Sequence, residues 1–247
     1  MNNIEFVFFD CMETLVDLYK LPTIRDYAAW AYDGSGVENL WEDFDEFFRY
    51  YILAKEDLAA RLPEYADYDM KERFFHLVRL SLTGMPYEIM DKTAGTLFEN
   101  YWRNYKAGCY VREDVRLMMP LLKKHFRMGV VSNFMVPGGI EELLERFEIS
   151  GYFEFVVTSV AEGWRKPHKA IYQKALELAG ISPEQAVFVG DDYINDYYTT
   201  KSMGMNAILL DRYNKRTELK DRVGNFYELL GVLTGKNSDL YGKEDDK

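Results

Sequence analysis

Apolar residues fall along this chain in two different rhythms. Phe6 to Phe9 form an unbroken aromatic and β-branched run, suited to one buried strand and too short for a helix. Between Pro22 and about Lys106 the spacing turns helical: Phe44, Phe47, Phe48 and Tyr51 recur at i, i+3, i+4 and i+7, the apolar stripe of a packed helix. That stretch predicts helices over 22–32, 37–61, 69–82 and 86–105. Asp69 and Thr83-Gly84 act as start and stop signals, and Pro86 suits a first helical turn. Short connections between four such helices predict a bundle.

From Val111 onward, short apolar runs alternate with helical ones. Strands are predicted over 128–132, 154–158, 186–190 and 206–210, and helices over 140–147, 168–179, 196–203 and 226–233. A turn at Pro137-Gly138-Gly139 separates the first strand of this series from the helix after it. Such alternation implies an α/β fold, a three-layer Rossmann-like parallel sheet core with right-handed crossovers. An α-helical bundle cap is inserted after the first strand. The predicted division is a core of 1–16 and 108–235, a cap of 17–107 and a polar tail of 236–247.

Composition narrows the function classes. The chain has 247 residues, 48% of them hydrophobic, and a net charge of −11, which argues against nucleic acid or an anionic membrane as partner. The two cysteines, Cys11 and Cys109, have neither metal-ligand spacing nor the density of a disulfide framework. The start MNNIEF lacks the basic and apolar segments of a signal peptide, and no apolar run is long enough to span a membrane. A cytoplasmic protein acting on a small anionic molecule is expected. Most cap aromatics suit the bundle core, with a substrate entrance or a homodimer face open to the rest.

Four chemistry-bearing elements fall at C-terminal ends of predicted strands, where open α/β sheets bind ligands. They are Asp10 with Thr14, then Ser132-Asn133, then Lys166 in GWRKPHKAIY, and finally Asp191, Asp192 and Asp196 in GDDYIND. A carboxylate is a competent nucleophile towards phosphorus, forming an aspartyl-phosphate that water hydrolyses. Lys166 and the hydroxyl and amides around Ser132-Asn133 suit the charged oxygens of a transferring group. Asp10, Asp191 and Asp196 set three negative charges against the one positive Lys166. An all-oxygen ligand set facing an anionic substrate favours Mg2+.

In this order and with the flanking text VSN, GYF, KPHKAIYQKAL and FVGDD, the chain resembles the haloacid dehalogenase superfamily. The resemblance covers residues 4–16 and about 110–212. It implies Asp10 as nucleophile and Asp10, Asp191 and the backbone carbonyl of Met12 as Mg2+ ligands. Asp196 would help through water or by orienting Lys166, and Thr14, Ser132, Asn133 and Lys166 would contact substrate.

One position departs from that pattern. Phosphatases of the superfamily carry a second aspartate two residues past the nucleophile, as general acid and base, where this chain has Met12; the next position, usually glycine, is Glu13. Losing such assistance forfeits about 10²–10⁴ in rate, a serious loss for alkyl phosphates and a small one for good leaving groups. Three readings stay open: a Mg2+-dependent phosphatase with unusual acid catalysis, a 2-haloacid dehalogenase, whose halide departs without a proton, and a catalytically impaired binding or regulatory protein. Against the dehalogenase, Asp191 would repel a substrate carboxylate.

Overall fold

A computed structural model describes residues 4–235 and divides the chain into two compact units. The predicted polar tail lies outside the described residues. Among the described residues, unit 1 comprises 4–17, 110–134 and 138–235; unit 2 comprises 18–109 and 135–137.

Unit 1 is built on a six-stranded parallel sheet. Its strands are β1 (Phe6–Phe9), β4 (Arg127–Ser132), β5 (Val156–Thr158), β6 (Ala186–Gly190), β7 (Asn206–Leu210) and β8 (Arg222–Val223), in the order β5-β4-β1-β6-β7-β8. Two further short strands, β2 (Asp17–Leu18) and β3 (Cys109–Tyr110), pair as a separate two-stranded sheet. The central strand β1 has Phe6 opposite Arg127 of β4 and Ala186 of β6. Its four side chains are fully buried, worth roughly 1.5–3 kcal/mol each as an upper estimate. That anchors the strand end on which Asp10 sits.

Side chains alternate across the sheet, as the pleat requires. Phe6 and Phe8 pack with Val131, Phe188, Ile171 and Tyr172, the last two from α8 (Lys169–Ala179). On the opposite face Phe9 stacks on Phe226 of α10 (Phe226–Thr234) at 5.9 Å and meets Phe153 edge-on at 6.2 Å. The helix α5 (Glu113–Lys123) packs on α10. Both faces of β1 are therefore covered, giving the expected three layers.

Unit 2 holds four helices: α1 (Ile24–Tyr32), α2 (Phe44–Arg61), α3 (Met70–Ser81) and α4 (Tyr87–Ala107). Thr23 and Asp26 form a capping box at the start of α1, and Asn100 of α4 donates to the carbonyls of Ala31 and Asp33 at its end. Thus some of the orphan backbone groups at each end of this nine-residue helix find partners. Phe47 and Tyr51 are fully buried, and rings run in contact from Trp41 through Phe47, Tyr51 and Phe74 to Tyr101. Phe44 and Phe48 are half-buried beneath the Arg25 guanidinium, 4.8 and 4.9 Å from their ring centres. Among the described residues no helix is long and apolar enough to cross a membrane.

Two elements depart most from the sequence expectation. The predicted helix over 37–61 is broken: Glu38–Leu40 is a single 3₁₀ turn, and α2 starts only after Asp43, whose carboxylate accepts the N–H of Glu46. An Asp side chain competing for backbone donors starts a helix more readily than it continues one. The predicted helix over 196–203 begins earlier, as a π-helical turn at Tyr193–Tyr198 followed by the short α9 (Thr199–Ser202).

Gly129 in β4 has a packing role. A Cβ there would lie 2.8 Å from the Phe155 ring and 3.1 Å from that of Phe6. Gly129→Ala should lower stability by about 1–3 kcal/mol through overpacking, measured by urea denaturation. A change within ±0.3 kcal/mol would mean that Phe155 gives way without cost.

Candidate active site

The nucleophile candidate sits where β1 stops. The Asp10 N–H donates to the Val189 carbonyl at 2.9 Å, prolonging the ladder by one residue and holding Asp10 at the C-terminal edge beside β6. The chain then turns tightly, with the Cys11 carbonyl accepting the N–H groups of Thr14, Leu15 and Val16 at 3.3, 2.8 and 3.0 Å. Glu13 lies in that turn with φ +60°, a left-handed conformation costing a residue with a Cβ about 1–2 kcal/mol. Met12 is half-buried, and its backbone bridges to Val16. Thr14 is fully buried and its hydroxyl donates to Asp191 Oδ1 at 3.4 Å.

Lys166 arrives from the loop before α8, and Asn133 fixes its backbone at both ends. The Lys166 N–H donates to Asn133 Oδ1 at 2.7 Å, and Asn133 Nδ2 donates to the Lys166 carbonyl at 3.0 Å. The Asn133 side chain therefore holds the lysine, a role additional to the substrate contact that the resemblance implies. The buried Lys166 Nζ donates to Asp10 Oδ1 at 2.7 Å, Asp196 Oδ1 at 2.8 Å and the Val131 carbonyl at 3.0 Å. An ammonium has three donors, and all three are used. Burial works against its charge, but Asp10 and Asp196 outweigh that and hold Lys166 above the ordinary lysine range. Ser132, the last residue of β4, is also buried.

Asp196 reaches this ammonium because the chain after β6 makes a π-helical turn. Asp192 starts the turn by accepting the N–H groups of Ile194 and Asn195, and its own N–H donates to Asp196 Oδ2 at 3.1 Å. The Asp196 side chain lies against Gly190, where any Cβ would overlap its carboxylate. Gly190 is thus a site residue that motif reading missed; its only sequence signal is a glycine directly before the acidic pair.

The structure brings Asp10, Asp191 and Asp196 together, with one oxygen of each within 4.8 Å of the others. Three carboxylates around one buried ammonium leave an excess of negative charge. Asp191 is solvent-exposed, yet lost hydration on its crowded side, then the fields of Asp10 and Asp196, push its carboxyl up to about 8. Burial pushes Asp196 up to about 7, with Asp10 adding to the shift and Lys166 opposing it. Such a cluster can hold a hard divalent cation, which would relieve the repulsion.

A sequence profile described as haloacid dehalogenase-like hydrolase matches residues 63–210. The chain belongs to that family. The matched stretch holds Ser132, Lys166, Asp191 and Asp196 of this hydrolase and stops short of Asp10 to Thr14. A glyceraldehyde 3-phosphate phosphatase of Pyrococcus furiosus is 29% identical over 227 residues, 89% of this chain and 85% of that protein. Haloacid dehalogenase-like hydrolase domain-containing protein 3 of Xenopus laevis is 49% identical over 84 residues, 34% of either chain. A crystal structure of a 2-haloacid dehalogenase from Pseudomonas syringae pv. Tomato shares the fold, with TM-score 0.73 at 22% identity over 94% of this chain and 99% of that one. That of a HAD phosphatase from Thermococcus onnurineus does so too, with TM-score 0.62, 22% identity and the same coverage.

The raised carboxyls give the hydrolase a pH signature. Between the ordinary aspartate value of 3.8 and about 8, the folded cluster keeps protons that the unfolded chain releases, so stability in chelator should fall as pH rises through this range. A divalent cation should stabilise more at pH 8 than at pH 6. Asp191→Asn should flatten both trends and, discounted for exposure, gain about 1 kcal/mol in chelator at pH 8. Urea denaturation at the two pH values, with and without cation, measures this; a cation effect independent of pH would count against the charge cluster as its origin.

Proposed function

We propose that this hydrolase is a Mg2+-dependent phosphatase of a small phosphorylated metabolite, working through an aspartyl-phosphate on Asp10. The observation that carries the reading is the convergence of the Asp10, Asp191 and Asp196 carboxylates around one lysine. Asp10 attacks phosphorus, the bond to the leaving oxygen breaks, and water then cleaves the acyl phosphate to regenerate the carboxylate. The lysine's contact with Asp10 Oδ1 orients that carboxylate; engaging the phosphoryl group as well requires Lys166 to share a donor that it now gives to protein. Ser132 and the backbone around Asn133 are the remaining contacts for phosphoryl oxygens. Asp10, Asp191 and the Met12 carbonyl would hold Mg2+, which offsets the charge of the transferring group. The similarity to a glyceraldehyde 3-phosphate phosphatase along most of both chains supports a triose phosphate as the first substrate to try.

Met12 keeps a second reading in view, because a thioether cannot protonate a leaving group and a halide needs no proton. Against dehalogenation stands Asp191, whose carboxyl, once ionised above about pH 8, would repel the carboxylate of a 2-haloacid. The deciding assay offers p-nitrophenyl phosphate, glyceraldehyde 3-phosphate and 2-chloropropionate, each with Mg2+ and with chelator. Phosphate release that requires Mg2+ and is lost in Asp10→Asn is expected. Halide release insensitive to chelator would sink the proposal.

A second prediction isolates the missing proton donor. Met12→Asp should raise kcat for alkyl phosphates by about 10-fold or more and change p-nitrophenyl phosphate turnover little. Glu13→Gly relieves the left-handed backbone, so it should gain about 1 kcal/mol of stability with alkyl turnover unchanged. A fall in alkyl turnover in that variant would make Glu13 the acid instead.

A further inference from the structure

Arg212 lies two residues beyond β7 and turns its side chain inward, leaving 10% of it exposed. Its guanidinium pairs with Asp114 Oδ2 at 3.1 Å and donates to the Thr14 carbonyl at 3.4 Å. The same Asp114 oxygen accepts the Phe226 N–H at 2.9 Å. One ion pair thus ties together the turn after Asp10, the exit of β7 and the starts of α5 and α10. The Arg212 Nε is buried with no partner, so the pair persists despite an unsatisfied donor.

Around Arg212, residues Thr14, Leu15, Val16 and Phe226 are fully buried, and the guanidinium lies 5.8 Å from the Phe226 ring centre. Arg212 borders two cavities of unit 1, of about 540 and about 630 Å3, the second also walled by Asp114. One donor of the guanidinium restrains the Thr14 carbonyl from that side. Thr14 is also the residue whose hydroxyl donates to Asp191 Oδ1. Restraining the carbonyl restrains the backbone from which the hydroxyl projects, and the stiff χ1 of a β-branched, fully buried side chain passes that restraint on to the hydroxyl.

We propose that Arg212, ion-paired to Asp114, is a positioning residue that acts through Thr14 on the carboxylate of Asp191. The proposal rests on the phosphatase reading of that carboxylate cluster. A lysine at 212 keeps the charge but offers no planar fork to span Asp114 and the Thr14 carbonyl together, so Arg212→Lys should fall between wild type and Arg212→Met.

The test is a double-mutant cycle with Thr14→Ala, read by p-nitrophenyl phosphate turnover and by amide hydrogen exchange. Arg212→Met should lower kcat by about 10-fold with KM within about 2-fold. In the Thr14→Ala background the same change should cost less than about 2-fold, since the hydroxyl it aims is gone. Exchange at Thr14, Leu15 and Val16 should quicken by about 10-fold or more, while the amides of β6 stay protected. Equal kcat losses in both backgrounds, or faster exchange throughout unit 1, would overturn the proposal and leave the pair a general brace. Where Arg212→Met does not fold, Arg212→Lys and Asp114→Asn make the same comparison. Should the wild type release no phosphate from any substrate, the phosphatase reading fails on its own, and the exchange pattern alone decides whether Arg212 holds the turn.

Discussion

A single buried ammonium organises the chemistry of unit 1. Lys166 is nearly inaccessible to water and bonded to Asp10, Asp196 and the Val131 carbonyl. A charge that deep is tolerable only with its hydrogen bonds complete, so each partner has to be delivered accurately. Asp10 comes from the end of β1, Val131 from β4, and Asp196 from the turn after β6. The sheet order β4-β1-β6 places these three strands side by side. The parallel register is therefore what lets one lysine reach all of them, and the buried aromatics of β1 secure that register.

The same arrangement leaves the site short of positive charge. Lys166 contacts two of the three clustered carboxylates, while Asp191 has the Thr14 hydroxyl as its side-chain donor. A hydroxyl is a weaker counterpart to a carboxylate than a cation, and lost hydration followed by the fields of Asp10 and Asp196 pushes the Asp191 carboxyl up to about 8. The fold stores unfavourable charge at one point, and a hard cation there would release it. Stability given up locally in this way is a common mark of a binding site rather than of a structural ion network.

How much of this was legible in the sequence depended on distance along the chain. Asp10 and Asp191 follow apolar runs directly, so periodicity alone put them at strand ends. Lys166 could be placed before a helix, but that its three donors are all engaged follows only from the fold. Gly190 was hidden because its role is steric: the carboxylate it admits belongs to Asp196, brought back by a π-helical turn that 3.6-residue periodicity does not anticipate. That the Asn133 side chain holds the Lys166 backbone was not legible either, because the two residues lie 33 positions apart. Arg212 and Asp114 are 98 residues apart in unremarked polar surroundings, and no local pattern joins them.

The turn after Asp10 shows why Met12 and Glu13 should be considered together. Three amides converge on the Cys11 carbonyl, and Glu13 keeps a left-handed backbone to allow it. This geometry matters more than the side chains it carries, because it points the Thr14 hydroxyl at Asp191. A glycine would meet the same requirement without strain. With Glu13 the turn needs outside support, and the Arg212–Asp114 pair grips it at the Thr14 carbonyl. Under the proposed phosphatase chemistry Met12 and Glu13 bear on proton transfer and on local strain, while the loop path still presents the Thr14 hydroxyl to Asp191. Under that proposed chemistry, Asp10 and its carboxylate neighbour remain aimed whether or not the leaving group is protonated, and substrates that leave as stable anions lose least.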